Sequence, residues 1–122
     1  MKHLFANSIA VTGGFASGKS TVAQSLAEML DYSFFDADKE VADLLEKNAQ
    51  GWIVLHGLLA PFFFQENGDI NKQRLRGAIF RDDLLRKRVE DVLHPLVRDR
   101  LKNKVDEAYR KFGKSSLIIL NF

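Results

Sequence analysis

The stretch Gly13-Gly14-Phe15-Ala16-Ser17-Gly18-Lys19-Ser20 decides the fold, because it fits the pattern G-x-x-x-x-G-K-[ST] of a phosphate-binding loop. Gly13 and Gly18 allow the backbone to curl so that its N–H groups point inward at a nucleotide phosphate. Lys19 adds a positive charge that reaches the β- and γ-phosphates, and the Ser20 hydroxyl is placed to ligate Mg²⁺. The stretch therefore predicts a binding site for nucleotide phosphates.

The segments on either side of this loop have the order that the motif requires. Residues 8–12 read as a short buried strand, and residues 20–30 read as a helix whose N-terminus would face the phosphate. The alternative is a glycine-rich turn that happens to precede a lysine and a serine, and the strand–loop–helix order argues against it. The residues predicted to bind the nucleotide are Gly13, Gly14, Ala16, Ser17, Gly18, Lys19, Ser20 and Thr21.

Composition is that of an ordinary globular protein. The 122 residues are 46% hydrophobic and 28% charged, which suits one domain with a substantial core. A formal charge of +2 is too small to indicate nucleic-acid binding, and the absence of cysteine excludes disulfides and thiolate metal sites. Because the sequence shows neither a membrane span nor a signal peptide, we expect a cytoplasmic protein without a membrane partner.

Two carboxylates follow a second β-prone segment, Tyr32-Ser33-Phe34-Phe35. A strand–helix–strand unit of this length predicts a right-handed crossover between parallel strands, whose carboxyl ends share one edge of the sheet. Asp36 and Asp38, two apart in an extended segment, should therefore lie at the edge that binds the phosphates. There a carboxylate would position an acceptor hydroxyl and take its proton. The alternative is a helix N-cap and a solvent-facing acid ahead of a helix over residues 39–47.

The middle of the chain reads as a helical insertion. Residues 50–59 have helix-like spacing, Asn67-Gly68 marks a turn, and Asn71 caps a helix that begins at Lys72. For four aromatic residues we expect core packing rather than a ligand pocket: Phe62, Phe63, Phe64 and Phe80.

The last part of the chain predicts further helix and a final strand. Asp82 caps a helix that His94-Pro95 is expected to interrupt, with another helix following to about residue 112. Alternating charges over residues 98–111 indicate a solvated face. Residues 117–122 read as a buried parallel strand, so we expect a truncated chain or a fragment.

These motifs, in this order, resemble the dephospho-coenzyme A kinase family. The specific marks are Asp36-Ala37-Asp38 and His94-Pro95-Leu96-Val97, beside the phosphate loop. The resemblance implies an α/β fold, a P-loop NTPase parallel sheet that is incomplete at about three strands, with a helical substrate-binding insertion. The strand over residues 117–122 would lie between the first two strands. The implied activity is ATP- and Mg²⁺-dependent phosphorylation of the ribose 3′-hydroxyl of dephospho-coenzyme A, the last step of coenzyme A synthesis.

The same resemblance implies roles for individual residues. Lys19 and Asp38 would be catalytic, with Asp38 accepting the hydroxyl proton. Ser20 would ligate the metal, and Asp36 would lie near the metal's water shell. Ala16 stands where the family commonly has glycine, at a position that the loop pattern leaves free.

Acceptor binding would fall to the helical part. Lys72 and His94 match family positions there, and a structural role for His94 as a carbonyl cap stays equally open. The nucleotide-binding core would be residues 1–38 and 113–122, with the acceptor-binding region over residues 39–112.

Other functions also fit parts of the sequence. Family members continue past the last strand with an arginine-bearing lid and further strands. Without those strands a sheet edge would be exposed, so we expect a monomer, or weak self-association through that edge. Another small-molecule P-loop kinase, of nucleoside or shikimate type, would not need His94-Pro95-Leu96-Val97. A nucleotide-binding fragment without catalysis is a third candidate. A regulatory GTPase is disfavoured because no Asn-Lys-x-Asp motif is present.

Overall fold

The computed structural model describes residues 5–12 and 19–120, which form both strands and helices. No helix within these ranges has both the length and the apolar character needed to cross a membrane. Along the chain the elements are β1 (Ser8–Thr12), α1 (Lys19–Leu30), β2 (Ser33–Asp36), α2 (Ala37–Leu44), α3 (Gln50–Leu58), a 3₁₀ turn (Pro61–Phe63), α4 (Lys72–Arg81), α5 (Asp83–Phe112) and β3 (Ser116–Leu120).

The described strands form one parallel sheet in the order β1-β3-β2. Ser116, at the start of β3, pairs with Ser8 on one side and with Ser33 on the other. Every residue of β3 is buried, with no more than 6% of any of them exposed. A strand buried on both faces needs an apolar run rather than an alternating pattern, and Leu117-Ile118-Ile119-Leu120 supplies one. The α/β fold class and the predicted strand order are confirmed.

Helix α1 packs on this sheet through small side chains. Ala23 and Ala27 are buried against Leu117 and Ile119 of β3, which allows the helix backbone to approach the sheet closely. The helix ends at Leu30, and the next residue, Asp31, adopts a left-handed conformation with a φ of 57°. This packing fixes the helix that begins immediately after the phosphate loop.

Helix α5 runs through His94-Pro95 without a break, so the predicted interruption is wrong. Pro95 cannot donate a hydrogen bond to the carbonyl of Asp91, and one such loss is tolerated when burial on both sides holds the helix together. Here a continuous buried stripe passes the proline on either side and consists of Val89, Leu93, Val97, Leu101 and Val105.

The described chain divides into two compact units. We call the first the sheet unit; it contains the described residues up to Glu40 and those from Asp99 onward. The second, the helical unit, is Val41–Arg98. Its core is formed by buried residues of α3, α4 and α5 and of the segments that follow α3 and precede α4: Leu55, Leu59, Ile70, Leu75, Val89 and Leu93.

The aromatic residues of the helical unit do not all join this core. Phe63 and Phe64 are partly buried and pack against it. Phe62 and Phe80 are 60% and 89% exposed, so the prediction that these two residues pack in the core is wrong. Exposed Phe62 instead has the guanidinium of Arg74 over its ring, with the Arg74 Cζ at 4.6 Å from the ring centroid.

Candidate active site

The predicted phosphate loop falls almost wholly outside the described residues. β1 ends at Thr12 and α1 begins at Lys19, so a strand and a helix flank the loop as the motif requires. The predicted loop contacts that lie outside the described part are Gly13, Gly14, Ala16, Ser17 and Gly18, together with the side chains of Lys19, Ser20 and Thr21.

Asp36 and Asp38 are brought together at the carboxyl end of β2. Asp36 is the last residue of the strand, and its Oδ1 accepts a hydrogen bond from the backbone N–H of Asp38 at 2.9 Å. This is the contact of an N-cap residue with the second residue of a helix. Asp36 thus caps α2. This is the N-cap that the alternative interpretation of the segment predicted.

The helix begins earlier than the sequence suggested. α2 starts at Ala37, so Asp38 lies in its first turn and not in an extended segment with Asp36, which corrects the prediction. The reason is the cap itself, because an aspartate at the strand end satisfies an amide of the first turn and starts the helix at once. Asp38 is exposed there, beside the electropositive helix N-terminus.

The donor chemistry at this position suits magnesium better than a metal held by protein alone. Within residues 5–12 and 19–120 no group of three metal-ligating side chains occurs. Mg²⁺ usually keeps several waters and takes one or two protein oxygens together with phosphate oxygens. The Asp36 carboxylate has about four lone-pair positions, of which the cap hydrogen bond uses one. The donor chemistry of Asp36 therefore fits such a metal.

Lys72 lies in the helical unit, as the first residue of α4. Asn71 caps this helix by accepting a hydrogen bond from the Arg74 backbone N–H at 3.1 Å, which confirms the predicted cap. Lys72 lines an open cleft of about 420 Å³. The other polar side chains of the cleft are Glu46, Lys47, Gln65, Asp69, Asn71 and Gln73.

A hydrogen-bonded turn over residues 65–69 forms one wall of this cleft. Lys47 Nζ donates to the Asn67 carbonyl at 2.6 Å, and the Trp52 indole N–H donates to the Gly68 carbonyl at 2.9 Å. Gly68 has a φ of +94°, a conformation that side-chain-bearing residues rarely adopt. The sequence identified the Asn67-Gly68 turn, but Lys47 and Trp52 were missed because they lie far from it in the chain.

His94 is exposed on α5, in the helical unit, and does not line the cleft around Lys72. Its ring is not at a helix break, since α5 is continuous there. The predicted acceptor residues Lys72 and His94 thus belong to the helical unit, while Asp36 and Asp38 belong to the sheet unit.

Sequence reasoning also missed a buried carboxylate close to Asp38. Glu40 is 2% exposed, and its two oxygens each lie 2.5 Å from a cation of α5, Arg100 Nε and Lys104 Nζ. One signal was available, because Glu40 shares a helix face with Ala37 and Leu44, both of which are buried. The pairing with residues 60 and 64 positions later was not visible in the sequence.

A parallel sheet whose first strand leads through a G-x-x-x-x-G-K-[ST] loop into a helix defines the P-loop class of nucleotide-binding proteins. Within that class, a family model described as Dephospho-CoA kinase matches residues 7–120. The chain belongs to the dephospho-CoA kinase family.

Individual relatives carry the same description. The chain is 42% identical over 88 residues to the dephospho-CoA kinase of Desulfotalea psychrophila, an alignment that covers 72% of this chain and 44% of the relative. It is 31% identical over 115 residues to the enzyme of Prochlorococcus marinus, covering 92% and 54%. The chain therefore spans about half the length of the curated relatives it matches.

A solved structure has the same fold. Dephospho-CoA kinase from Campylobacter jejuni superimposes with a TM-score of 0.66 at 17% identity, covering 94% of this chain and 57% of that one. This likeness supports the fold and the topology of the sheet.

Proposed function

We propose that this chain acts in the transfer of a phosphoryl group from ATP to the ribose 3′-hydroxyl of dephospho-coenzyme A. The observation that carries the proposal is the pair of carboxylates at the carboxyl end of β2, with Asp36 capping α2 and Asp38 exposed on its first turn. Open α/β sheets bind ligands at this edge, and the predicted phosphate loop leaves β1 at the same edge. Membership of the dephospho-CoA kinase family names the acceptor.

In this proposal Asp38 is the general base. Its exposed carboxylate accepts the proton of the 3′-hydroxyl as that oxygen attacks the γ-phosphorus, and the bond from the γ-phosphorus to the β–γ bridging oxygen breaks to release ADP. Lys19 neutralises negative charge on the β- and γ-phosphates, while the loop amides hold these groups in position. Asp36 orients Asp38 through the 2.9 Å hydrogen bond to its backbone N–H.

Ser20 and Asp36 are the residues that would hold Mg²⁺, directly or through its waters. When bound, the ion supplies positive charge to the β- and γ-phosphate oxygens. Lys72 offers a cation for the acceptor within the cleft of the helical unit, and His94 is a second candidate contact. The cytoplasmic location, the oligomeric state and the absence of nucleic-acid and membrane partners stay predictions.

The proposal is tested by ATP-dependent phosphorylation of dephospho-coenzyme A with the chain and Mg²⁺. We expect Asp38→Asn to lower kcat by about 10²- to 10⁴-fold, the usual contribution of a general base, and to leave ATP affinity nearly unchanged. Asp31→Asn is the matched control, since Asp31 lies before the opposite end of β2 and pairs there with Lys114 at 2.9 Å. The control should keep its kcat.

Two results would contradict the proposal. Equal kcat values for Asp38→Asn and Asp31→Asn would remove Asp38 from the chemistry. ATP binding by the unmodified chain without any phosphorylation would favour a non-catalytic nucleotide-binding role for these 122 residues.

A further inference from the structure

Glu40 is the one buried carboxylate among the described residues, and no step of the proposed reaction uses it. Its Oε2 accepts from Arg100 Nε and its Oε1 accepts from Lys104 Nζ, both at 2.5 Å. The side chains of Arg100 and Lys104 are 38% and 35% exposed. We call these three residues the ionic clasp. It lies entirely within the sheet unit.

We propose that Glu40 is a positioning residue for Asp38, acting through the ionic clasp to hold the first turn of α2 in place. This inference rests on the proposed function, in which Asp38 is the general base. Glu40 follows Asp38 by two residues in the same short helix, so a displacement of Glu40 displaces the turn that carries Asp38.

The clasp contacts the chain on both sides of the two aspartates. After them, Glu40 is held at two separate oxygens by two cations that are one helical turn apart on α5. Before them, the ring of Phe35 in β2 lies beneath Lys104, with Nζ at 5.9 Å from the ring centroid. Asp36 and Asp38 therefore lie between two points of attachment to the same helix.

A role in stability alone does not account for a carboxylate at this position. Ala37 and Leu44, on the same face of α2, are buried without any charge. An apolar side chain of similar volume commonly replaces a buried ion pair without loss of stability, because desolvation offsets the attraction. What two directional hydrogen bonds add is a fixed orientation, since each cation restrains a different oxygen.

The test is amide hydrogen exchange, measured by NMR on the full chain, for Glu40→Gln beside Glu107→Gln. Glutamine keeps the shape of Glu40 and removes its charge. Glu107 is the control, because it lies in the sheet unit like Glu40 and pairs with a lysine, Lys111, at 2.6 Å, but it is an exposed residue of α5 and not part of the clasp. We expect the Asp38 amide, which bonds to Asp36, to exchange at least tenfold faster in Glu40→Gln than in Glu107→Gln.

Amides of β3 separate positioning from general destabilisation. If the clasp positions Asp38, the β3 amides keep their protection in Glu40→Gln. Equal Asp38 exchange in the two variants would overturn the proposal, and so would a proportional loss of protection throughout the sheet. Should Glu40→Gln fail to fold, Lys104→Met beside Lys111→Met poses the same question with one cation of the clasp left in place.

A kinetic comparison then links position to chemistry. In the phosphorylation assay Glu40→Gln should lower kcat at least tenfold with the KM for ATP unchanged, and an unchanged kcat would overturn the proposal. Absence of turnover in the unmodified chain would instead contradict the proposed function, and the exchange of the Asp38 amide would still decide whether the clasp holds this turn.

Discussion

The sheet unit and the helical unit hold their candidate functional residues by different means. In the sheet unit the turn that carries Asp38 is attached to α5 by charges, through Glu40 and two cations. In the helical unit Lys72 follows a cap and a turn that are fixed by hydrogen bonds to backbone carbonyls and amides. Among the described residues the buried polar side chains, Ser8, Glu40 and Ser116, all belong to the sheet unit.

This difference shows that, in a small protein, the contacts that stabilise the fold need not be those that orient a functional side chain. The apolar core of the helical unit favours folding without fixing one direction in space, because the hydrophobic effect is not directional. A turn that presents a reacting carboxylate needs a fixed direction, and hydrogen bonds to charged groups supply it. Four experiments test the comparison, in order of decreasing effect.

Truncation of the helical core should have the largest effect. Leu55 is fully buried, so Leu55→Ala should reduce the free energy of unfolding by about 3–4 kcal/mol through lost burial and a cavity. Phe62→Ala, at a residue 60% exposed, should cost far less and serves as the control. Urea unfolding, monitored by hydrogen exchange, would measure the free energy of unfolding of both variants. Equal losses of this free energy would contradict the apolar core described for this unit.

Removal of both cations of the clasp should come next. Arg100→Met with Lys104→Met leaves a buried carboxylate without a cation, which should destabilise the sheet unit by about 3 kcal/mol. Adding Glu40→Met should restore most of that loss, because the unpaired charge is removed as well. If the triple variant stays as unstable as the double variant in urea unfolding, the buried charge is not the cause.

The third substitution should stabilise the protein. The Ser116 hydroxyl is buried and has no hydrogen-bond partner among the described residues. Burial of an unsatisfied hydroxyl costs about 1–3 kcal/mol, so Ser116→Ala should raise the free energy of unfolding by about 1 kcal/mol. Ser8→Ala should lower it instead, since the Ser8 hydroxyl bonds the Phe5 backbone. Opposite signs in chemical denaturation are the expected result.

The smallest effect should come from the exposed ion pair on α5. The hydrogen bond from Lys111, and the charge of that lysine, lower the pKa of Glu107 below the usual value for a glutamate. A lowered folded-state pKa stabilises the protein above the unfolded-state pKa, and the gain is lost as the pH falls through the folded-state value. Glu107→Gln should therefore lower Tm slightly at pH 7 and not at all at a pH below the Glu107 pKa, and a Tm difference that persists there would contradict this origin.

Local patterns predicted much of the fold. The apolar run at residues 117–120 indicated a central strand, and Asn71 and Asp82 marked the starts of α4 and α5, each through a side-chain oxygen that accepts from the first turn. The His94-Pro95 break was wrong because burial along the whole of α5 outweighed one missing hydrogen bond.

The candidate site was less accessible to sequence reasoning. The aspartates could be located because motif, crossover and sheet edge are set by neighbouring segments. Their detailed arrangement depends on α5, through the pairs of Glu40 with Arg100 and Lys104, and such distant pairing has no local signature. Two charged residues on a helix look the same in sequence whether they face water or a buried carboxylate.

The place of β3 in the sheet has a consequence for folding during synthesis. Both β1 and β2 pair with β3, yet β3 follows them in the chain. Ser8 therefore cannot pair with Ser116 until about 100 further residues, which are most of the chain, have been synthesised. The helical unit, by contrast, is complete once Arg98 has left the ribosome. We therefore expect its contacts to form first, while β1 and β2 lack their pairing to β3 until that strand has been synthesised and the slow, long-range pairing of these strands begins.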